Sequence, residues 1–374
     1  MDFKNFYLRE AHLPLGFSTD DIESIDDFLA DNEVIDEDIN DAETSGVDMA
    51  ALKQRRMNPP KKDTEHDISS RPEKLLHKSN IVDENGNVID DDALRNKIIE
   101  RPKTLIGQNS KLGKSGTNQM FYDLTLPSYQ GLYVDEKTGE FKVVKTCPAA
   151  GECRKFCYAA KGGYIMFPAS SLGASRTVNF LMNDEEGFKS QLLSELKAAI
   201  ISNAKKGKKV VLRWHDSGDF LSEKYLLLAY SVAKATPEIL HYAYTKQVPL
   251  VRKLEEHKPK NFIFNFSLGG LHDETIDKSK EKHAAVVPAN LFKDLPHTKG
   301  EDGYAVIFAP KELAELKKRV ADHFKIPLES IISYDEMIKT PPSEDKKWNV
   351  LVWKGHGDDA ATREDVLGTY LLFH

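Results

Sequence analysis

Between Phe121 and Trp353 the chain alternates short apolar runs with amphipathic stretches of helical length, a pattern that suits strands joined by helical crossovers. Strand-like runs occupy residues 121–126, 209–214, 239–245, 261–267, 284–287, 304–308 and 350–353. Asp184 is a capping residue ahead of a helix on which Phe188, Leu192, Leu196, Ala199 and Ile200 share one face. Further helices are expected over 223–235 and 248–257, and over 310–324, where Pro310 opens the first turn. Residues 132–134 and 141–144 are expected to pair around a turn at 135–140. The fold class this predicts is α/β, a full or partial (β/α) barrel of about six strands, of the TIM-barrel kind. In such folds chemistry sits on the loops after the strands' C-terminal ends.

The front of the chain differs in character. Residues 1–100 carry 25 Asp+Glu against 12 Lys+Arg, a net of −13, while residues 101–374 carry 34 against 40, a net of +6. An acidic, largely irregular N-terminal extension and linker is therefore expected over 1–102, with the folded domain over 103–374. Within the extension, Asn85-Gly86 between apolar pairs is a short hairpin signal. The acidic front is a solvated tail on one reading; on the other it masks a basic groove or meets a partner. No run approaches the ~20 apolar residues of a membrane span, and the N-terminus lacks a secretion pattern, so the expected location is cytoplasmic with no membrane partner.

Three cysteines fall within eleven residues, Cys147-Pro-Ala-Ala-Gly-Glu-Cys153-Arg-Lys-Phe-Cys157, and there are none elsewhere. An odd number without a secretion signal argues against a disulfide framework. Three thiolates on one tight loop can ligate three irons of a cubane [4Fe-4S] cluster, leaving the fourth iron open for chemistry. The competing readings are zinc, which needs a remote fourth ligand because the next histidine is His215, and buried inert thiols.

Strand ends supply further candidates. The turn His215-Asp-Ser217-Gly218-Asp219 follows a buried strand and can offer carbonyls and a carboxylate to an ammonium group; otherwise it is an Asx-type loop. His215 is a candidate proton donor, and Lys246 is the second candidate catalytic residue. Tyr244 and Thr245 close the next strand, and Asn265 and Ser267 the one after. Arg176 and Asn179 could reach a carboxylate. Arg213 could do so as well unless an ion pair holds it. Lys205, Lys206, Lys208 and Lys209 read as a solvated helix end.

The segment Cys147-Pro-x-Ala-x-x-Cys153-x-x-x-Cys157-Tyr158-Ala159, followed by Gly163-Tyr164, resembles the cysteine motif of a phage-encoded family, gene product 88. That family in turn resembles the radical S-adenosylmethionine enzymes. The resemblance spans roughly residues 112–270. It implies a [4Fe-4S] cluster on Cys147, Cys153 and Cys157, and S-adenosylmethionine held by Tyr158, Ser217, Gly218, Asp219, Tyr244, Thr245, Asn265 and Ser267. Ser217, Gly218 and Asp219 would correspond to the segment that contacts its amino group. It further implies an electron donor such as flavodoxin or ferredoxin, the host cytoplasm as location, and a nucleotide, nucleic-acid or peptide substrate. The alternative is a nucleic-acid-binding protein in which metal only staples a loop. A net of +6 over the body and the lack of a recognised nucleic-acid motif offer it little support.

Overall fold

The apolar runs become strands of one open sheet. The computed structural model describes residues 91–108, 118–157, 159, 167–299, 306–352 and 357–372. A first helix, α1 (Asp91–Ile99), precedes two strands, β1 (Ile106–Gly107) and β2 (Gln119–Leu124). A hairpin follows, β3 (Gln130–Val134) with β4 (Phe141–Lys145), and then helices α2 (Pro168–Asn183) and α3 (Glu185–Ala204). Next come β5 (Lys209–Trp214), α4 (Glu223–Ala235), β6 (Leu240–Thr245), α5 (Val248–Lys253), β7 (Phe262–Ser267) and β8 (His283–Val287). A small pair, β9 (His297–Lys299) with β10 (Val306–Phe308), leads to α6 (Pro310–Phe324). The chain ends its sheet with β11 (Ile331–Ser333), α7 (Tyr334–Lys339), β12 (Trp348–Val352), α8 (Gly357–Thr362) and β13 (Val366–Leu372).

Nine strands pair in the order β1-β2-β5-β6-β7-β8-β13-β12-β11. Only β1 is antiparallel to its neighbour; every other ladder is parallel. The α/β expectation holds, but the sheet is not closed into a full barrel and has more strands than the six or so expected. Among the described residues no ladder joins β11 to β1, and the sheet has nine strands. The reason lies in the crossovers. From β2 to β8 each parallel strand adds on the same side of the last, and β11 is reached by skipping two positions. The chain then turns back through β12 and β13 to fill them. Closure requires every crossover to advance in one direction.

That reversal also sorts the helices. Right-handed crossovers in one direction place helices on one face, and crossovers in the opposite direction place them on the other. Val210, Leu212 and Trp214 of β5 pack with Phe188 and Leu192 of α3 and with Tyr225 and Ala229 of α4. Ala285 and Val287 of β8 lie on the same face, since His283 pairs with Phe266, and they meet Leu316 and Val320 of α6. On the opposite face Val211 and Tyr242 pack with Ala361 of α8, and Val350 and Val352 with Tyr334 and Met337 of α7.

Local chemistry accounts for the boundaries. The Asp184 carboxylate accepts a hydrogen bond from the Gly187 N–H at 2.8 Å, capping α3 as expected. Helix α4 spans Glu223–Ala235 as expected, with the Ser222 hydroxyl accepting from Tyr225 N–H. Strand β2 begins before residue 121, and the 248–257 helix divides into α5 and a 3₁₀ turn, Glu255–His257. The β3–β4 hairpin forms as expected, closed by Asp135 N–H to Glu140 O at 2.9 Å, but it stands apart from the main sheet. The folded body reaches back beyond residue 103, because Leu94 and Ile98 of α1 are buried and Arg176 Nε of α2 donates to Lys97 O at 2.7 Å. The hairpin expected at Asn85-Gly86 lies outside the described residues.

Helix α8 is tied to the sheet by a buried charge pair, Arg213 to Asp358 at 3.3 Å, with Tyr242 OH donating to the same carboxylate at 2.7 Å. Arg213, part-buried, also lies 3.5 Å from Asp216, so Asp358→Ala leaves it one carboxylate and is expected to cost about 2 kcal/mol. Asp92→Ala, at a side chain 86% exposed, should stay within about 0.5 kcal/mol. Urea unfolding of the two variants checks the contrast.

Candidate functional site

The cysteine loop leaves β4 and is stitched to the segments after three parallel strands. Thr146 donates from its backbone to Tyr129 O at 2.7 Å and from its hydroxyl to Pro127 O at 2.7 Å, fastening it to the segment after β2. Its carbonyl accepts from Asp219 N–H at 2.8 Å, which brings in the loop after β5. Gly151 N–H and Cys153 N–H both donate to Gly269 O, at 3.1 and 2.9 Å, and Leu271 N–H donates to Ala149 O at 3.0 Å, so the turn after β7 joins as well. Gly269 has φ +96°, and a Cβ there would stand 3.0 Å from Cys153 Cβ. Only glycine suits both the dihedral and the approach. The loop therefore sits at the C-terminal edge of the parallel strands.

Cys147, Cys153 and Cys157 are all partly exposed and free of disulfides. Burial pushes the Cys147 thiol well above its ordinary range. The Asp219 charge and the other two thiols add to this, and a hydrogen bond from Tyr129 N–H to Cys147 Sγ at 3.3 Å works against it. Cys147 is thus a neutral thiol. Three soft donors on one loop, one already accepting an N–H, fit an iron–sulfur cluster in donor chemistry. Among the described residues no group of three or more His, Cys, Asp or Glu stands arranged to hold a metal ion.

Six of the expected strand-end residues meet beside this loop. The carboxylate of Asp219 accepts from Thr245 Oγ1 at 2.6 Å, Lys246 N–H at 2.9 Å and Phe220 N–H at 2.8 Å. Burial raises its pKa, and these donors pull it back. Asp219 is thus a clamp between the ends of β5 and β6, with much of its accepting capacity taken by the protein. Gly218 has φ +86°, and a Cβ there would stand 2.6 Å from Leu126 Cβ, so the turn packs directly on the segment after β2. Ser217 O accepts from Leu126 N–H at 3.0 Å, while Ser217 Oγ is buried with no hydrogen-bond partner among the described residues. Lys246 Nζ donates to Ser267 Oγ at 2.9 Å, joining the ends of β6 and β7.

The other candidates go elsewhere. Tyr244 and Asn265 bond α8 on the opposite face, Tyr244 OH to Gly357 O at 3.1 Å and Asn265 Nδ2 to Ala361 O at 3.2 Å. Strand alternation turns them away from the face that carries Phe264 and Phe266. His215 lies in an aromatic cluster with Trp214, Phe220 and Tyr225, and its Nε2 shares a 2.7 Å hydrogen bond with Tyr225 OH. Burial and the Arg213 charge hold its pKa down to about 3. The ring of His215, expected as a proton donor, is thus neutral at ordinary pH and 3% exposed. Arg176 braces α1, and Asn179 Oδ1 accepts from Val134 N–H at 2.9 Å, so neither reaches toward the loop. Lys205 and Lys206 are exposed, as a solvated helix end should be, and Lys209, also exposed, begins β5. Tyr158 lies outside the described residues.

Sequence reasoning missed two groups here. One is Asp358, which receives Arg213 and the Tyr242 hydroxyl. Arg213 Nε also donates to His215 O at 3.1 Å, at the start of the Ser217 turn. The other is Tyr129, which gives the bond to Cys147. Neither carries a motif; an aspartate pair at 358–359 and an isolated tyrosine after Pro127 and Ser128 are unremarked in one dimension.

A family model described as Gene product 88 matches residues 103–327. The chain belongs to the gene product 88 family. The family region runs from β1 through α6 and takes in the hairpin, the cysteine loop and the ends of β5, β6 and β7. Helices α7 and α8 and strands β11 to β13 lie beyond it, so Asp358 reaches into the family region from outside. No curated protein and no solved structure matches the chain. Among the described residues no helix is long and apolar enough to cross a membrane.

Two consequences for this gene product 88 member are measurable. His215 and His241, the latter accepting from Trp214 Nε1 at 3.1 Å, are both held at about 3 by burial, below the ordinary 6.5. Their depressed values make stability full above about pH 6.5 and lost as pH falls toward 3, with a combined slope of up to about 3 kcal/mol per pH unit. His241→Gln should flatten that slope in urea titrations between pH 6 and 4. Separately, Gly218→Ala should destabilise by about 2 kcal/mol or more, seen as a lower unfolding midpoint, because the strained φ and the Leu126 contact act together.

Proposed function

We propose that this gene product 88 member is a radical S-adenosylmethionine enzyme that holds a [4Fe-4S] cluster through Cys147, Cys153 and Cys157. Cys147, Cys153 and Cys157 would hold the cluster with one iron open, and bound there it would supply the electron that cleaves S-adenosylmethionine into methionine and a 5′-deoxyadenosyl radical able to take hydrogen from a substrate. The observation that carries the reading is the three-thiol loop bound into the segments after β2, β5 and β7, at the edge where parallel sheets bind ligands.

The surrounding residues divide the remaining work. Asp219 and Thr245 hold the loops in register. Ser217 Oγ, buried with no partner, is the group a ligand's amino or carboxylate end would satisfy. Lys246, bonded to Ser267, supplies a positive charge beside the Gly270 turn, suited to a carboxylate. The Leu126 and Pro127 segment, packed on Gly218, limits water from one side. An electron donor of the flavodoxin or ferredoxin class completes the requirement.

Anaerobic reconstitution should load about 4 irons and about 4 sulfides per chain. Each of Cys147→Ala, Cys153→Ala and Cys157→Ala should abolish loading, and S-adenosylmethionine should change the electron paramagnetic resonance signal of the reduced cluster. Ser217→Ala should weaken S-adenosylmethionine binding about 5-fold, in line with one lost hydrogen bond, at unchanged iron content. A chain that loads no iron, or a signal indifferent to S-adenosylmethionine, would overturn the reading.

A further inference from the structure

Tyr129 has φ +65°, one of two non-glycine residues with positive φ among the described residues. Glycine or asparagine would adopt this conformation more readily, so the tyrosine side chain needs a reason. Its backbone makes three contacts with the start of the cysteine loop. The carbonyl accepts from Thr146 N–H at 2.7 Å and from Cys147 N–H at 3.1 Å, and the N–H donates to Cys147 Sγ at 3.3 Å. One residue thus grips Cys147 by both backbone and sulfur. The αL conformation is what allows the N–H and the carbonyl to serve the same neighbour.

The ring supplies the reason for tyrosine. Lys145 Nζ stands 5.8 Å and Arg154 Cζ 5.7 Å from its centroid, and Arg154 Nη1 donates to the Tyr129 hydroxyl at 3.3 Å. Arg154 follows Cys153 directly and also donates from Nε to Gly151 O at 3.2 Å. Contacts of this kind hold a ring in place, and here the partners lie on either side of Cys147 in sequence.

We propose that Tyr129 is a positioning residue for the cysteine centre: its N–H orients the Cys147 sulfur and draws charge from it, and its ring locks the N–H in place. The electronic half of this rests on the cluster reading above. A hydrogen bond to a ligating sulfur stabilises the reduced, more negative cluster and so raises its potential.

Two measurements on the full chain test it. In metal-free protein the Tyr129 amide should be protected from hydrogen exchange, and Cys147→Ala should speed its exchange about tenfold or more, since the acceptor is gone. Equal exchange in the two proteins would overturn the proposal. In reconstituted protein Tyr129→Gly keeps the positive φ and the N–H, whereas Tyr129→Val, which resists positive φ, turns the N–H away. Iron content should hold in both, with the reduction potential most negative in the valine variant and intermediate in the glycine variant, which keeps the dihedral but loses the ring that locks it. Equal potentials in all three proteins would sink the electronic role. A valine variant that fails to fold leaves the exchange comparison deciding. A wild-type chain that loads no iron while the exchange result stands counts against the cluster and leaves Tyr129 as the anchor of Cys147.

Discussion

The carboxylate of Asp219 joins loops that would otherwise belong to separate parts of the sheet. Taking a carboxylate out of water is costly unless donors replace the lost hydration. Thr245, Lys246 and Phe220 provide three such donors, and the backbone N–H of Asp219 itself bonds Thr146, one residue before Cys147. The ends of β5 and β6 and the start of the cysteine loop are therefore fixed to one another through a single residue. Its charge also bears on Cys147, adding to the burial that holds that thiol protonated.

Everything around this clamp follows from where the sheet turns back on itself. Because β12 and β13 fill the gap between β8 and β11, α8 covers the face opposite α3 and α4. Arg213 then has a buried aspartate to pair with, and its Nε is aimed at the carbonyl that opens the Ser217 turn. The C-terminal segment, outside the family region, thereby shapes a turn inside it. The same reversal explains why Tyr244 and Asn265, although they end neighbouring strands, serve α8 and not the cysteine loop.

Much of this was legible in one dimension. Asp184 as a cap, Glu223–Ala235 as a helix, Pro310–Phe324 behind its proline and the β3–β4 hairpin all follow from local signals, because caps, turns and apolar period act over a few residues. The short C-terminal elements were harder. Strand β11 has three residues and α8 six, too few for any period to register, and their place depends on strands far away. That the sheet stays open was hidden for the same reason: alternation says that strands and helices alternate, and is silent on the direction in which each crossover advances.

The site divides along the same line. Three thiols in eleven residues could be recognised from spacing alone, as could a glycine-bearing polar turn after a buried strand, since both are chemical facts about neighbouring residues. Which of the strand-end residues face that loop was settled by strand parity and by helix α8, so Asp219, Lys246 and Ser267 gather there while His215 enters the core and loses its proton to burial. Tyr129 and Asp358 belong wholly to the tertiary structure. Their importance comes from a backbone angle and a buried guanidinium, and neither leaves a trace in the order of residues.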